Sequence, residues 1–219
     1  MTAIFDAISE PVARRVTAGL AKIGLVLRGR AWKGAGTAGV TPTQREALAL
    51  LQDAPSGLRL SSLATLMCIS APTASDAVGA LVAKNLVAKE PGPDRRSVNL
   101  RLTSAGETLL GSTSEWPDFL VRAVDTLEAA EQASFLRSLV KIIRALQLNG
   151  DIPLQRMCAT CRYFRPNVHD GQLAPHHCAF VDAPFGDRHL RLNCAEQEPA
   201  DAEFATENWA RFVSEPTPS

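Results

Sequence analysis

Hydrophobic residues recur at steps of three and four along much of this 219-residue chain, which predicts a series of helices. The first covers about 9–32, with Ser9 as its cap, and the glycines after Trp32 are expected to break it. A second helix begins at Thr41, and two short ones are predicted over 61–67 and 73–85. The amino-terminal part is therefore predicted to be mainly helical.

The spacing of hydrophobic residues then changes to two over 86–90 and 97–102, which predicts two strands. The six residues between them combine Pro and Gly with three charged side chains, so the strands are expected to form a hairpin with a basic tip. Ser104 caps another helix, which Trp116 and Pro117 interrupt. Helical spacing resumes at Phe119 and ends at Asn149 and Gly150.

The helices predicted at the two ends of this part, 9–32 and 118–148, are longer and more apolar than the small section between them requires. Their apolar faces must be covered, either by one another or by a second subunit. A homodimer is the favoured interpretation, because the middle section offers little surface that could bury them.

Helix, tight turn, helix and then a hairpin with arginines at its tip is the order of a winged helix-turn-helix. The segments 63–75, 81–87, 94–96 and 100–106 resemble, in order and spacing, the multiple-antibiotic-resistance regulator (MarR) family, and the resemblance spans about residues 10–148. It implies a triangular homodimer built from the terminal helices, a palindromic operator in double-stranded DNA, and repression that a ligand or an oxidant relieves.

The resemblance assigns DNA-contacting roles to residues at two places in the motif. At the start of the recognition helix they are Ser70, Pro72, Thr73 and Ser75. On the wing they are Arg95 and Arg96. Asp76 stands where the family commonly has a basic residue; its carboxylate can accept a hydrogen bond from cytosine N4. The alternatives are that Thr73 and Ser75 only cap the helix and that Asp94, Arg95 and Arg96 form a solvated turn.

Cys68 occupies the tight-turn position where the family usually has glycine. It is either a thiol switch or a small buried cysteine. The second interpretation is favoured, since cysteine is commonly buried and the sequence shows no basic neighbour that would activate the thiol.

All four histidines and four of the five cysteines lie within 158–194. A chain expected to be cytoplasmic keeps its thiols reduced, so an even-numbered cluster argues for metal rather than disulfides. Two cysteines form a C-x2-C pair, followed after 16 and 15 intervening residues by two single ones; the predicted ligands are Cys158, Cys161, Cys178 and Cys194. Four thiolates suit either one zinc ion or an iron–sulfur cluster, and these remain equal alternatives. His177 is a possible ligand or hydrogen-bond partner of the site.

Four aromatic residues in the same stretch are expected to form a small apolar shell around the metal: Tyr163, Phe164, Phe180 and Phe185. That shell is too small to fold alone, which predicts folding coupled to metal binding. Beyond Pro199 the tail is acidic, and Trp209 and Phe212 lie on one face of a short helix that is expected to dock onto the protein's own body.

The balance of charge also differs between the amino-terminal part and the rest of the chain. Residues 1–149 hold 17 Lys and Arg against 13 Asp and Glu, whereas the remainder holds 6 against 10. The predicted fold class is mainly α with a small β-hairpin wing, dimerising terminal helices and a small metal-stabilised module. The expected domains are a winged-helix domain over 1–149, a cysteine-rich module over 150–199 and an acidic tail over 200–219. No stretch has the length of a membrane span, so no membrane association is expected.

These features predict a sequence-specific transcription regulator, expected to be a repressor, whose affinity for DNA depends on a four-cysteine metal centre. An alternative keeps the DNA binding but makes the metal a structural zinc, with a small molecule as effector. A metalloenzyme with Glu196 as base is disfavoured, because four cysteines fill the coordination shell and no deaminase signature is present. The chain is therefore not expected to be an enzyme.

Overall fold

The computed structural model describes residues 9–92, 98–112, 118–171 and 173–214, apart from the side chains of 34–38 and 112. Contacts divide the chain into two compact units, Met1–Pro117 and Asp118–Ser219, called unit 1 and unit 2 below. The sequence placed the division after residue 149. The observed division lies earlier in the chain, because the buried face of the helix over 129–148, centred on Val140, belongs to the core of the cysteine-rich part.

Unit 1 is built from helices and a small sheet, as expected for a winged helix. The helices are α1 (Val12–Ala38), α2 (Pro42–Gln52), α3 (Leu60–Leu66), α4 (Ala71–Ala83) and α5 (Ser104–Ser112). The strands are β1 (Leu58–Arg59), β2 (Val87–Pro91) and β3 (Val98–Leu102), in the antiparallel order β1-β3-β2, with Val87 opposite Leu102. The two hairpin strands were predicted; β1 was not, because two residues carry no periodic signal.

Local sequence chemistry sets the ends of these helices. Helix α1 starts after Pro11 rather than being capped by Ser9, and it continues beyond the predicted break to Gly39, whose φ of 66° is left-handed. Glycine weakens a helix without preventing it, so the earlier glycines do not end α1. Helix α2 starts where predicted: Thr41 accepts a hydrogen bond from the Gln44 amide, and the Gln44 side chain accepts one from the Thr41 amide, both at 3.2 Å.

The core of unit 1 lies where α2, α3 and α4 meet the sheet. Leu48, Leu63 and Leu81 are fully buried in it, and Leu100 of β3 packs against them. Among the described residues no single helix is long and apolar enough to cross a membrane. The bent pair α3 and α4 meets that test by length and composition alone, and its Leu63 and Leu81 belong to this core.

Unit 2 contains three helices among its described residues: α6 (Asp118–Val124), α7 (Ala129–Leu148) and α8 (Ala202–Val213). It also has two 3-10 turns, Cys158–Thr160 and Asp187–His189, and a three-stranded antiparallel sheet of β4 (Phe164–Arg165), β5 (His176–Cys178) and β6 (Ala183–Phe185). This second sheet was not predicted. The expected continuous helix over 118–148 is interrupted, because Glu128 and Glu131 form a capping box that starts α7 afresh.

The core of unit 2 is aromatic. Phe164 and Phe212 pack edge to face with ring centroids 5.7 Å apart, and Trp209 lies 5.8 Å from Phe212. Phe212 is fully buried, so α8 docks onto its own unit as predicted. Asn149 and Gly150 end α7 as predicted, with Gly150 at a φ of 79°. Trp116 and Pro117 lie outside the described residues.

Candidate functional site

Helices α3 and α4 form the helix-turn-helix of unit 1 and are bent by 111° relative to one another. Cys68 sits in the turn between them with a left-handed φ of 53°, and its amide donates to the Thr65 carbonyl at 3.0 Å. The expectation of a buried cysteine is wrong, since Cys68 is exposed. The left-handed backbone that ends α3 is the one glycine adopts most easily, and here it accompanies an exposed side chain.

The start of α4 is held by a hydroxyl cap. The Ser70 oxygen accepts from the Thr73 amide at 3.3 Å and lies 2.8 Å from the Thr73 hydroxyl. Ala74, Val78 and Leu81 face the core. The predicted contact residues lie on the exposed side of this helix or at its cap: Ser70, Pro72, Thr73, Ser75 and Asp76. Ser70 therefore both caps the helix and faces outward, whereas Ser75 is not needed for the cap.

The exposed side of α4 offers hydroxyls and one carboxylate but no lysine or arginine. Lys84, directly after α4, hydrogen-bonds the Gly39 carbonyl at 2.5 Å and the Gln44 side chain at 3.2 Å. Arg101 of β3 pairs with Glu90 of β2 at 3.4 Å across the hairpin. Helix α4 itself therefore presents no positive charge at its exposed side. The predicted wing residues Asp94, Arg95 and Arg96 lie outside the described residues.

Residues 40–98 match the sequence model of the MarR family. Three solved structures share the fold at 20 to 23% identity. The S. aureus MepR–DNA complex is 22% identical, covers 59% of this chain and 97% of its own, and has a TM-score of 0.54. A MarR transcriptional regulator from Methanosarcina mazei Go1 is 20% identical, with 62% and 99% covered and a TM-score of 0.53. The repressor CouR, bound to a 23-mer duplex, is 23% identical, with 62% and 99% covered and a TM-score of 0.51. The chain has the fold of the MarR-family regulators. No curated protein sequence matches it.

The MarR-type fold supports the prediction of a DNA-binding regulator. The solved structures that share this fold include transcription regulators, which agrees with the expectation that the chain is not an enzyme. The family match ends at residue 98, so the cysteine-rich segment lies beyond it.

All four predicted cysteines line one cavity of about 540 Å³ in unit 2. Cys158 begins a 3-10 turn and Cys161 follows it, and the Cys161 amide donates to the Cys158 carbonyl at 2.9 Å. Cys178 ends the middle strand β5, opposite Phe164 of β4. Cys194 lies in a loop, and its backbone amide donates to the Arg156 carbonyl at 2.9 Å. Four separate backbone positions thus bring the thiols to one place.

Aromatic and charged side chains complete the wall of this cavity. All four aromatic residues predicted to surround the cysteines line it: Tyr163, Phe164, Phe180 and Phe185. The polar lining consists of His189, Arg191 and Glu196. Phe180 and Val181 at the rim are 53% and 63% exposed, so the cavity meets solvent on that side. An apolar wall with a few polar groups is typical of a cofactor or ligand site.

Arg191 makes two contacts with the sulfur atoms. Its backbone amide donates to the Cys158 sulfur at 3.3 Å, and its guanidinium donates to the Cys194 sulfur at 3.7 Å. Burial raises the pKa of Cys158 to about 11, the Arg191 amide lowers it, and the three other cysteines raise it again. The thiols are therefore close enough to interact electrostatically, and a positive charge lies beside them.

No three of the His, Cys, Asp or Glu side chains in the described ranges are placed so as to hold one metal ion. The predicted partner His177 does not line the cavity; His189 does. Neighbouring strand residues point to opposite faces, so His177 is directed away from Cys178. Its ring contacts His169 at 3.1 Å and Asp182 at 3.2 Å instead.

His176 is a structural histidine that the sequence did not distinguish from the others. It is fully buried; its Nδ1 accepts from the Asn167 amide at 3.2 Å, and its Nε2 lies 2.9 Å from an Asp187 oxygen. The first bond leaves the ring proton on Nε2, which donates to Asp187. The same Asp187 oxygen accepts from Arg137 of α7 at 2.9 Å. These three side chains fix the cysteine-rich part to α7.

Proposed function

We propose that the chain is a homodimeric transcription regulator, expected to be a repressor, in which the four-cysteine site of unit 2 controls affinity for DNA. The observation that carries the proposal is the MarR-type winged helix with an outward-facing row of polar side chains at the start of α4. Two similar solved structures, those of MepR and CouR, are complexes with DNA. The role agrees with the cytoplasmic location expected from the sequence.

In this proposal α4 enters the major groove of a palindromic operator. The hydroxyl and carboxylate groups of Ser70, Thr73, Ser75 and Asp76 face base edges or phosphates, and Pro72 packs against the backbone. Arg95 and Arg96 of the wing hold flanking phosphates or a narrow minor groove. Because α4 lacks basic residues, the wing supplies much of the attraction, while the helix supplies the sequence preference.

We expect Ser75→Ala to weaken binding to the preferred duplex by about tenfold, with little change on unrelated DNA, since one base contact is lost. Arg95→Ala should weaken binding to the preferred duplex and to unrelated DNA alike, and it should reduce the slope of log affinity against log salt concentration by about one. Fluorescence anisotropy would measure both effects on a duplex selected by the protein from a random pool. Thr108→Ala removes an exposed hydroxyl from α5 as the control. A wild-type protein that selects no sequence and binds all duplexes equally would contradict the proposal.

Two helices carry apolar stripes that fit a homodimer. On α1, Val12, Val16, Ile23 and Val26 are exposed at 40 to 65%. Helix α7 is apolar on two sides: Val140 and its neighbours face the unit 2 core, while Ile142 and Leu146, on the opposite side, are exposed at 37% each. In a single chain these stripes lie in water. A second copy of this chain would cover them, in keeping with the two-fold symmetry of a palindromic site.

The double variant Ile142→Glu/Leu146→Glu should turn the dimer into a monomer, since two charges per chain would be buried in the interface. Sedimentation equilibrium would measure the mass. Ala145→Glu adds a charge to α7 between the two stripes and should leave the dimer intact. A wild-type protein that is monomeric at micromolar concentration would refute this part of the proposal.

The cysteine site is the proposed input. It lies in the unit that contains α7, and Arg137 joins that helix to the turn carrying Asp187. A change of occupancy or oxidation state at the four thiols would therefore alter the packing around α7, the helix with the proposed dimer face. The centre is zinc or an iron–sulfur cluster. If the centre is a purely structural zinc, a small molecule becomes the effector.

A further inference from the structure

We infer that the cavity in unit 2 takes an iron–sulfur cluster bound by Cys158, Cys161, Cys178 and Cys194, and not a single zinc ion. The inference rests on the proposed function only in treating these four thiols as a metal centre. It narrows the two alternatives that the sequence left equal.

The arrangement of the thiols is the first argument. A zinc ion binds four sulfurs at about 2.3 Å, so all four must converge on one point. The cysteines here line the same cavity, yet no three of the described Cys, His, Asp or Glu side chains are placed to hold one ion. In a cluster the thiolates are shared among several irons and surround a larger body, so they need not converge. A cavity of about 540 Å³ with all four cysteines in its lining has room for such a body.

The ligand frame is the second argument. The two chain segments that carry three of the cysteines are tied to each other by backbone bonds: the Cys158 amide donates to the Arg191 carbonyl at 3.1 Å, and the Cys194 amide to the Arg156 carbonyl at 2.9 Å. Cys178 is held by strand pairing on both sides, opposite Phe164 and Ala183. These ties hold the backbone around an open space. A single ion would require all four sulfurs to converge to about 2.3 Å from one point.

The surroundings are the third argument. Hydrogen bonds to cysteine sulfur, together with nearby positive charge, stabilise the electron-rich sulfurs of a cluster and set its reduction potential. Arg191 supplies both, through its amide to Cys158 and its guanidinium to Cys194. Aromatic side chains cover much of the remaining wall, and the exposed rim at Phe180 and Val181 gives small oxidants a way in.

The test uses the full-length protein, purified without oxygen and reconstituted with ferrous iron and sulfide, and in parallel with zinc alone. We expect iron and acid-labile sulfide in roughly equal amounts, two or four of each per chain, with a brown absorption spectrum. Cys161→Ser and Cys178→Ser should lose the cluster. Cys68→Ser, which changes the one cysteine outside the site, should retain it.

A ligand variant that fails to fold would not decide the matter, so Arg191→Met provides an independent readout. It should keep the cluster and shift its reduction potential, because the guanidinium contact to Cys194 is removed. One zinc per chain in a colourless protein without sulfide would overturn the inference, as would no bound metal of either kind. Binding of the selected duplex, measured on the same preparations, tests the proposed function separately: a clustered protein without sequence preference refutes the function and leaves the cluster standing.

Discussion

Replacing Arg137 with methionine is expected to lower the free energy of unfolding of unit 2 by about 3 kcal/mol, because it breaks a largely buried ion pair on one side only. The Arg137 and Asp187 side chains are 15% and 28% exposed and lie 2.9 Å apart. The guanidinium also donates to the Phe212 carbonyl, and its carbon lies 4.3 Å from the centre of the Phe212 ring. One residue of α7 thus holds both the Asp187 turn and α8.

The loss should depend on pH. Burial raises the pKa of Asp187, but hydrogen bonds from His176 and Arg137 and the charge of Arg137 outweigh it, so the pKa lies below its usual value. A lowered folded-state pKa stabilises the protein when the pH is above the unfolded-state pKa, which is near 4. This stabilisation disappears as the pH falls through the folded-state pKa. The difference between wild type and Arg137→Met should therefore be constant from pH 7 to about 5 and shrink below about 4.

Hydrogen exchange of α8 amides reports this stability for unit 2 alone. Arg122→Met removes an exposed arginine from α6 as the control, and a change within about 0.5 kcal/mol is expected. An equal loss in both variants, or a loss in Arg137→Met that persists unchanged at pH 3, would show that the buried pair is not the cause.

Gly106→Ala is expected to destabilise unit 1 by about 3 kcal/mol, because an added methyl group forces the packed backbone to move. A Cβ on Gly106 would lie 2.4 Å from the Leu86 carbonyl oxygen and 2.5 Å from a Leu102 methyl carbon. The same Leu86 carbonyl accepts from the Thr103 amide at 3.2 Å, and the Thr103 hydroxyl accepts from the Gly106 amide at 3.1 Å. The start of α5 is thereby fixed to the base of the wing, so the variant should also bind DNA more weakly.

Gly111 provides the matched control in the same helix. A Cβ there would meet nothing within 4 Å, so Gly111→Ala should be neutral or stabilising by up to about 1 kcal/mol. Hydrogen exchange of the β2 and β3 amides would measure unit 1 in both variants. If Gly106→Ala were as stable as Gly111→Ala, the close approach of α5 to Leu86 would be refuted.

Several features of unit 1 could be predicted because their causes are local. The start of α2 at Thr41 and the spacing of the apolar residues Ala74, Val78 and Leu81 in α4 each depend on residues a few positions apart. Cys68 shows the limit of this reasoning. Its residue type suggested burial, but the left-handed turn that ends α3 leaves its side chain exposed.

In the cysteine-rich part, too, local features could be predicted and long-range ones could not. Cysteine spacing predicted which four thiols belong together, and all four line one cavity. The roles of the histidines could not be read from the same stretch. His176 is buried against Asp187, His177 points away from the cavity, and His189 lines it, because strand direction and long-range pairing decide where each ring lies.

The sequence by itself determined the winged helix-turn-helix, the order of its elements and the four cysteines of the proposed centre, since periodicity, capping and ligand spacing act within short stretches of chain. Only the tertiary structure decided that α7 belongs with the cysteine-rich part, that Arg137 joins it to Asp187 and Phe212, and that the four thiols line one cavity. Those features depend on contacts between residues distant in the sequence, such as Arg137 with Asp187 and Phe212, 50 and 75 positions away, which no local pattern encodes.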